Sequence, residues 1–200
     1  MSPEKILLDL LESINAAKAH YQIWWVISNE ARPNLVPAMN QFSDFFIATL
    51  DAHFNSMILN LTYLFDKNHY SSTLQNYLNI DKASFHSDEL KILNDKVESL
   101  SLAAEPIRKM IRNKAVAHKD AKLSEKEIFQ NADITPNQIR DLIFSCASLI
   151  DDLRQRKGCL NGVFQSQRFA KSTLNAIKCL DNYRKLTINS GHSTKEEYVP

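Results

Sequence analysis

The residues with the most chemistry to offer stand in one string, Arg112-Asn113-Lys114-Ala115-Val116-Ala117-His118. Histidine titrates near neutral pH, so His118 can accept or deliver a proton. Arginine presents a planar fork of donors that matches charged oxygens, so Arg112 can hold negative charge as it builds up. Asn113 can orient the same anion or fix the tautomer of His118. Lys109, Lys114 and Lys119 surround the pair with further positive charge. On an ideal helix, six steps place Arg112 and His118 about a third of a turn apart. Either Arg112 reaches round the helix, or a second chain completes the pair. Near a helix C-terminus the free carbonyls favour imidazolium by ~0.3–1 kcal/mol, which suits a general acid more than a base. Against this stands a plainer reading. Residues 108–119 hold five Lys and Arg residues, most such runs are solvated helix faces, and Arg-x5-His spacing alone recurs by chance.

The string needs a scaffold, and the hydrophobic periodicity supplies only helices. Ile6, Leu7, Leu10, Leu11, Ile14, Ala17, Tyr21, Trp24, Trp25 and Ile27 predict one long helix ending near Ala31. Pro33 and Pro37 punctuate the turn and the next helix start. A second long helix is predicted through Met39, Phe42, Phe45, Phe46, Leu50, His53, Met57, Leu61 and Leu64. Residues 69–73 read as a loop and residues 74–78 as a short helix. Ser87-Asp88 is a plausible cap for a helix through Val97 and Leu100. Pro106 kinks that helix or opens the one that carries the motif. Ser124 caps a short piece, and Thr135-Pro136 starts a further helix through Leu153. A turn with Gly158 and Gly162 leads to a last helix over 165–186. Residues 187–200 are polar and aperiodic, predicting a mobile tail. The expected organisation is one helical domain over 1–186 followed by that tail.

Composition narrows the function. Lys plus Arg is 24 and Asp plus Glu is 23, a formal charge of +1. A protein that grips long duplex DNA carries a clear basic excess, so any nucleic-acid contact here must rest on a local cluster. No glycine precedes Gly158, which excludes Gly-rich phosphate loops from most of the chain. Cys146, Cys159 and Cys179 form neither a disulfide framework nor a zinc-binding pattern, as expected of a reducing cytoplasm. Neither a signal peptide nor a membrane span is expected.

With Arg112-Asn113 and Ala117-His118, the chain resembles the HEPN superfamily (higher eukaryotes and prokaryotes nucleotide-binding). The flanking Lys119-Asp120 and the upstream Leu64-Phe65-Asp66 are similar to the abortive-infection branch of AbiU type. The resemblance covers residues 6–186 and implies an all-α bundle of two long antiparallel helices plus several shorter ones. It implies a metal-independent endoribonuclease, active as a homodimer, with no cofactor. The setting implied is cytoplasmic, in phage defence by abortive infection or in toxin–antitoxin biology with an antitoxin as further partner. Arg112, His118 and Asn113 would be catalytic, and Lys109, Lys114 and Lys119 would bind RNA. The alternative is an inactive HEPN-like module that binds a partner protein or nucleotide.

Other residues carry plainer expectations. Asp66 caps or turns the chain. His53 is a satisfied core histidine. Trp24 and Trp25 pack internally or at a dimer interface. Asp151 and Asp152 diverge on a helix and make a poor metal pair. Cys146 is core.

Overall fold

The computed structural model describes residues 2–109, 111, 132–159 and 162–189. Among these residues there is no strand, and the chain is all-α. Helix α1 spans Pro3–Trp25 and runs into a wider π-type turn over Val26–Glu30. There the Ala31 N–H donates to the Val26 carbonyl five residues back, at 2.9 Å. Helix α2 is Arg32–Gln41, with Pro33 in its first turn, where a missing N–H costs nothing. Helix α3 is Ser43–Tyr63, α4 is Leu74–Ile80 and α5 is Ser87–Pro106. Helix α6 is Pro136–Arg156 and α7 is Arg168–Asn189.

Several boundaries differ from the sequence reading. The second long helix begins at Ser43. Phe42 leaves helical geometry (φ −123°, ψ 42°), so Met39 belongs to the separate α2. Ser87 is the first residue of α5, whose cap is His86, with no side-chain capping bond. Pro106 is the last residue of α5, and Ile107 after it keeps helical angles. The last helix starts at Arg168 and runs through Asn189, so 187–189 belong to it and not to the tail. The cap expected at Ser124 and the tail beyond 189 lie outside the described residues.

Other local expectations hold for clear reasons. Thr135 accepts from the Gln138 N–H, and Gln138 reaches back to the Thr135 N–H at 2.7 Å, a complete capping box. Gly158 adopts φ +69° just past α6, the left-handed position that favours glycine at a helix end. Asp151 accepts from the Val163 N–H at 2.6 Å and from Gln165 at 3.1 Å. A Cβ at Gly162 would stand 2.7 Å from the Asp151 carboxylate, so a larger residue would displace that carboxylate.

The chain divides into two compact units. Unit 1 comprises Met1–Tyr21 and Phe54–Gln165. Its core holds Ile6, Leu10 and Ile14 of α1, Met57, Ile58 and Leu61 of α3, Tyr77 of α4 and Ile150 of α6, all fully buried. Burying each such side chain contributes about 1.5–3 kcal/mol. Unit 2 comprises Gln22–His53 and Ser166–Pro200. Its core joins Val26, Ile27, Ala31, Leu35, Met39 and Phe46 to Ile177 of α7, with Leu174 and Leu180 packed against them.

Polar groups of α1 fix the segment that precedes α7. Within unit 1, Asn15 accepts from the Phe164 N–H and Lys18 donates to the Phe164 carbonyl at 2.7 Å. Lys18 is buried, 5.2 Å from the ring centroids of Phe144 and Phe164. That burial pulls its pKa below the ordinary lysine value, and Asp151 opposes the shift. Within unit 2, the Gln22 carbonyl oxygen accepts from the N–H groups of Phe169 and Ala170, at the start of α7.

Candidate functional site

The approach to the motif is anchored by two residues four apart. Ile107 and Ile111 are both fully buried, as one helical face requires. Arg108 and Lys109 fall between them and face a cavity wall in unit 1. Of the six residues assigned to the site from sequence, Lys109 is the one within the described set. Arg112, Asn113, Lys114, His118 and Lys119 lie outside the described residues.

Glu105, one turn earlier on α5, holds both neighbouring cations. One carboxylate oxygen is 2.7 Å from Lys109 Nζ, and the other pairs with Arg108. The bonds from Lys109 and then Arg108 keep the Glu105 carboxyl below the ordinary glutamate value, against the effect of burial. Arg108 is the more enclosed cation, with 15% of its side chain exposed against 65% for Lys109.

These residues line an open cavity of about 490 Å³ with Leu59, Thr62, Tyr63, Asp66 and Lys67. A second cavity of about 600 Å³ shares Asp66, Lys67, Glu105 and Arg108 as walls and continues toward His69, Asn76 and Asn94. The C-terminal end of α3 and the loop after it supply one side, and α5 supplies the other. The loop is built by its own side chains. Asp66 accepts from the Asn68 N–H at 3.1 Å, and Asn68 accepts from the Tyr70 N–H at 3.0 Å. Asn76 donates to the carbonyls of Asn68 and Ser71. Leu64 and Phe65 are buried beneath it. Asp66 therefore turns the chain, as its position suggested, and also forms part of the cavity wall.

Cations, carboxylates and the half-exposed ring of Tyr63 thus converge on one opening. Such a lining fits an anion carrying a flat, hydrogen-bonding body: cations meet charge, a carboxylate accepts from amino or hydroxyl groups, and a ring stacks. Lys109, expected from sequence to bind RNA, and Asp66, expected to cap or turn the chain, line this cavity with Tyr63, Lys67, Glu105 and Arg108, which sequence reasoning did not single out. The available signal was Glu105-Pro106-Ile107-Arg108-Lys109, where one acid precedes two bases by three and four residues, the spacing that pairs on a helix.

The remaining candidates sit elsewhere. His53, in unit 2, is half-buried, and burial pulls its pKa down. The rings of Trp24 and Trp25 are half-buried and tilted, with centroids 6.4 Å apart. Asp152 pairs with Lys96 at 3.5 Å while Asp151 binds the 163–165 backbone and side chains, so the two carboxylates diverge. Cys146 is fully buried, which pushes its thiol pKa up. Among the described residues no group of three or more His, Cys, Asp or Glu side chains could hold a metal ion. No helix among them is long and apolar enough to cross a membrane.

A further network in unit 1 was not foreseen. Asp81 is buried and accepts from Tyr77 Oη at 2.9 Å, Ser84 Oγ at 2.7 Å and Lys157 Nζ at 2.8 Å. Burial pushes its pKa up, but the bonds from Lys157, Ser84 and Tyr77 outweigh that and hold it below the ordinary aspartate value. Every partner is satisfied within the fold, so the network ties α4 to the end of α6.

The family model described as AbiU2, HEPN_AbiU2, matches residues 4–156. No curated protein and no solved structure matches the chain.

Proposed function

The chain belongs to the AbiU2 family of HEPN domains, a family linked to abortive infection, and on that premise we propose that it is a metal-independent endoribonuclease. The observation that carries the reading is the Arg112-to-His118 string, which falls inside the matched residues. It directly follows the anchored Ile107–Ile111 turn beside a cation-lined cavity.

In the proposed reaction the RNA 2′-oxygen attacks the adjacent phosphorus and the bond from phosphorus to the 5′-oxygen breaks. The 2′-hydroxyl proton leaves to a base, and the departing 5′-oxygen takes a proton from an acid. Histidine serves in either role near neutral pH. His118 supplies this proton chemistry, and Arg112 neutralises charge growing on the phosphoryl oxygens. Asn113 orients the phosphate. Lys109, Lys114 and Lys119 hold the flanking RNA backbone, with Arg108 at the cavity wall beside Lys109. The working form is a homodimer in the cytoplasm, with Arg112 of one protomer serving His118 of its partner. The biological role is phage defence or a toxin restrained by an antitoxin.

The test is incubation of purified protein with RNA in EDTA, beside His118→Ala. The expected products carry a 2′,3′-cyclic phosphate and a 5′-hydroxyl. Cleavage that stops in EDTA and returns with magnesium or manganese would overturn the mechanism.

A further inference from the structure

Helix α7 lies beyond the matched residues 4–156 and has a charge balance unlike that of the whole chain. It carries Arg168, Lys171, Lys178, Arg184 and Lys185 against the single acid Asp181. Asp181 is buried and already paired with Arg184 at 2.9 Å and Lys185 at 2.6 Å. No acidic side chain of the helix is left to neutralise its outer face.

The spacing on that face is regular. Arg168, Lys171, Asn175, Lys178, Asn182 and Lys185 are all exposed, and steps of three and four residues place them within about 100° of the helix circumference. From first to last the stripe runs roughly 25 Å, at about 1.5 Å per residue. Leu174 and Ile177 point into the core of unit 2 and fix which face looks outward. Lys171 and Lys178 make no ion pair among the described residues.

We propose that this stripe is a binding surface for the phosphate backbone of RNA. Charge complementarity requires an anionic occupant, and the residue types choose between two kinds. Protein interfaces are depleted in lysine and seat aromatic or apolar anchors, whereas four of the stripe's six residues are basic and two are amides, with the exposed Leu186 at its margin. Phosphate contacts are made by lysine, arginine and asparagine without reading sequence. The surface therefore supplies affinity rather than cleavage preference, and binding through it is salt-dependent. The inference rests on the reading of the chain as one that acts on RNA.

The test uses the full-length chain with His118→Ala, so that RNA stays intact, and a fluorescent single-stranded oligonucleotide in EDTA. Anisotropy gives Kd across a salt series. Relative to that parent, adding Lys171→Gln with Lys178→Gln weakens binding about 3- to 10-fold at low salt. The log–log salt slope flattens by about 1.4, since each lost phosphate contact removes about 0.7 on a single strand. Lys171→Arg with Lys178→Arg keeps the parent's affinity, which separates charge from fold. An unchanged Kd and slope in the glutamine variant overturns the surface. So does displacement of RNA by polyglutamate at a lower charge concentration than by unlabelled RNA, which assigns the stripe to an acidic protein. The two readings fail separately. With His118 restored, a chain that binds RNA through α7 but never cuts it refutes the ribonuclease alone. A chain that cuts RNA while the glutamine variant binds normally refutes the stripe alone.

Discussion

The cluster around Glu105 in unit 1 and the outer face of α7 in unit 2 treat their charges differently. Unit 1 pairs several of them: Lys5 with Asp9, Lys157 with Asp81, Lys96 with Asp152, Arg156 with Glu89, and both Arg108 and Lys109 with Glu105, while Lys67, Lys82 and Lys91 stay in solvent. Unit 2 spends its one buried acid of α7 on Arg184 and Lys185 and leaves Lys171 and Lys178 in solvent. Paired, partly enclosed cations have fixed positions, the condition for stabilising charge at a defined atom. Solvated lysines on a helix face keep their rotamer freedom and act as diffuse positive charge. The cations held by Glu105 suit geometry and the lysines of α7 suit attraction, so rate and affinity should separate between these two places.

The largest break in that comparison comes from the motif. Arg112→Ala and His118→Ala should each lower cleavage by ~10²-fold or more while leaving the salt dependence of RNA binding nearly intact. Equal losses of rate and affinity would erase the distinction. Mixing the two inactive proteins should restore activity after subunit exchange, because each heterodimer keeps one Arg112 facing one His118 across the interface. A mixture that stays dead refutes the shared site.

Next in size is the paired region's own stability. Asp81→Asn leaves Lys157 without its carboxylate partner, and denaturant unfolding should show a loss on the order of 2–3 kcal/mol. The sign with pH is fixed. Asp81 has a folded pKa below the usual 3.8, so its contribution is complete above that value and disappears as pH falls through the folded value. The variant should lose this acid-dependent part. An unchanged acid profile would mean that the network carries no stability.

A smaller effect sharpens the contrast at the cavity. Glu105→Gln frees Arg108 and Lys109 from their carboxylate. RNA affinity should then rise a few-fold while the cleavage rate at saturating RNA falls, because the cations lose their fixed positions. A rise in both would show that Glu105 only competes with substrate.

The smallest effect belongs to His53 in unit 2. Burial lowers its pKa from 6.5, so the unfolded chain binds more protons between the lowered value and 6.5. Stability should decline slightly as pH drops through that window. His53→Gln should flatten the decline in a thermal melt, and an unaltered slope would rule the histidine out.

The helices were legible because burial imposes a period. The spacing of Ile6, Leu10 and Ile14, and of Ile139, Ile143 and Ile150, is what a core demands of a helix. Thr135-Pro136 was legible because a cap and a first-turn proline are local chemistry. The break at Phe42 was missed: Ser43-Asp44 beside it is the same local signal as Ser87-Asp88, but an apolar period runs on through it. The basic run that holds Lys109 was legible because one stretch of sequence carries it. The cavity was hidden where distant segments meet, as with Tyr63 and Lys67 facing Arg108. The α7 stripe was hidden because the net charge of +1 averages it away.

The bonds that α1 makes near residue 164 also bear on descent. The family match ends at 156, yet Asn15 and Lys18 find their partners at Phe164, and Gln22 finds its own at 166, 169 and 170. A lineage that lost the C-terminal segment in one deletion would strip a buried ammonium of its acceptor and leave an amide with no helix to cap. Replacing Lys18 and Gln22 first would remove those two costs, but losing Ile177 would still uncover the core of unit 2. The segment beyond residue 156 is thus hard to discard. Relatives that end near residue 156 should carry smaller or apolar residues at positions 15, 18 and 22.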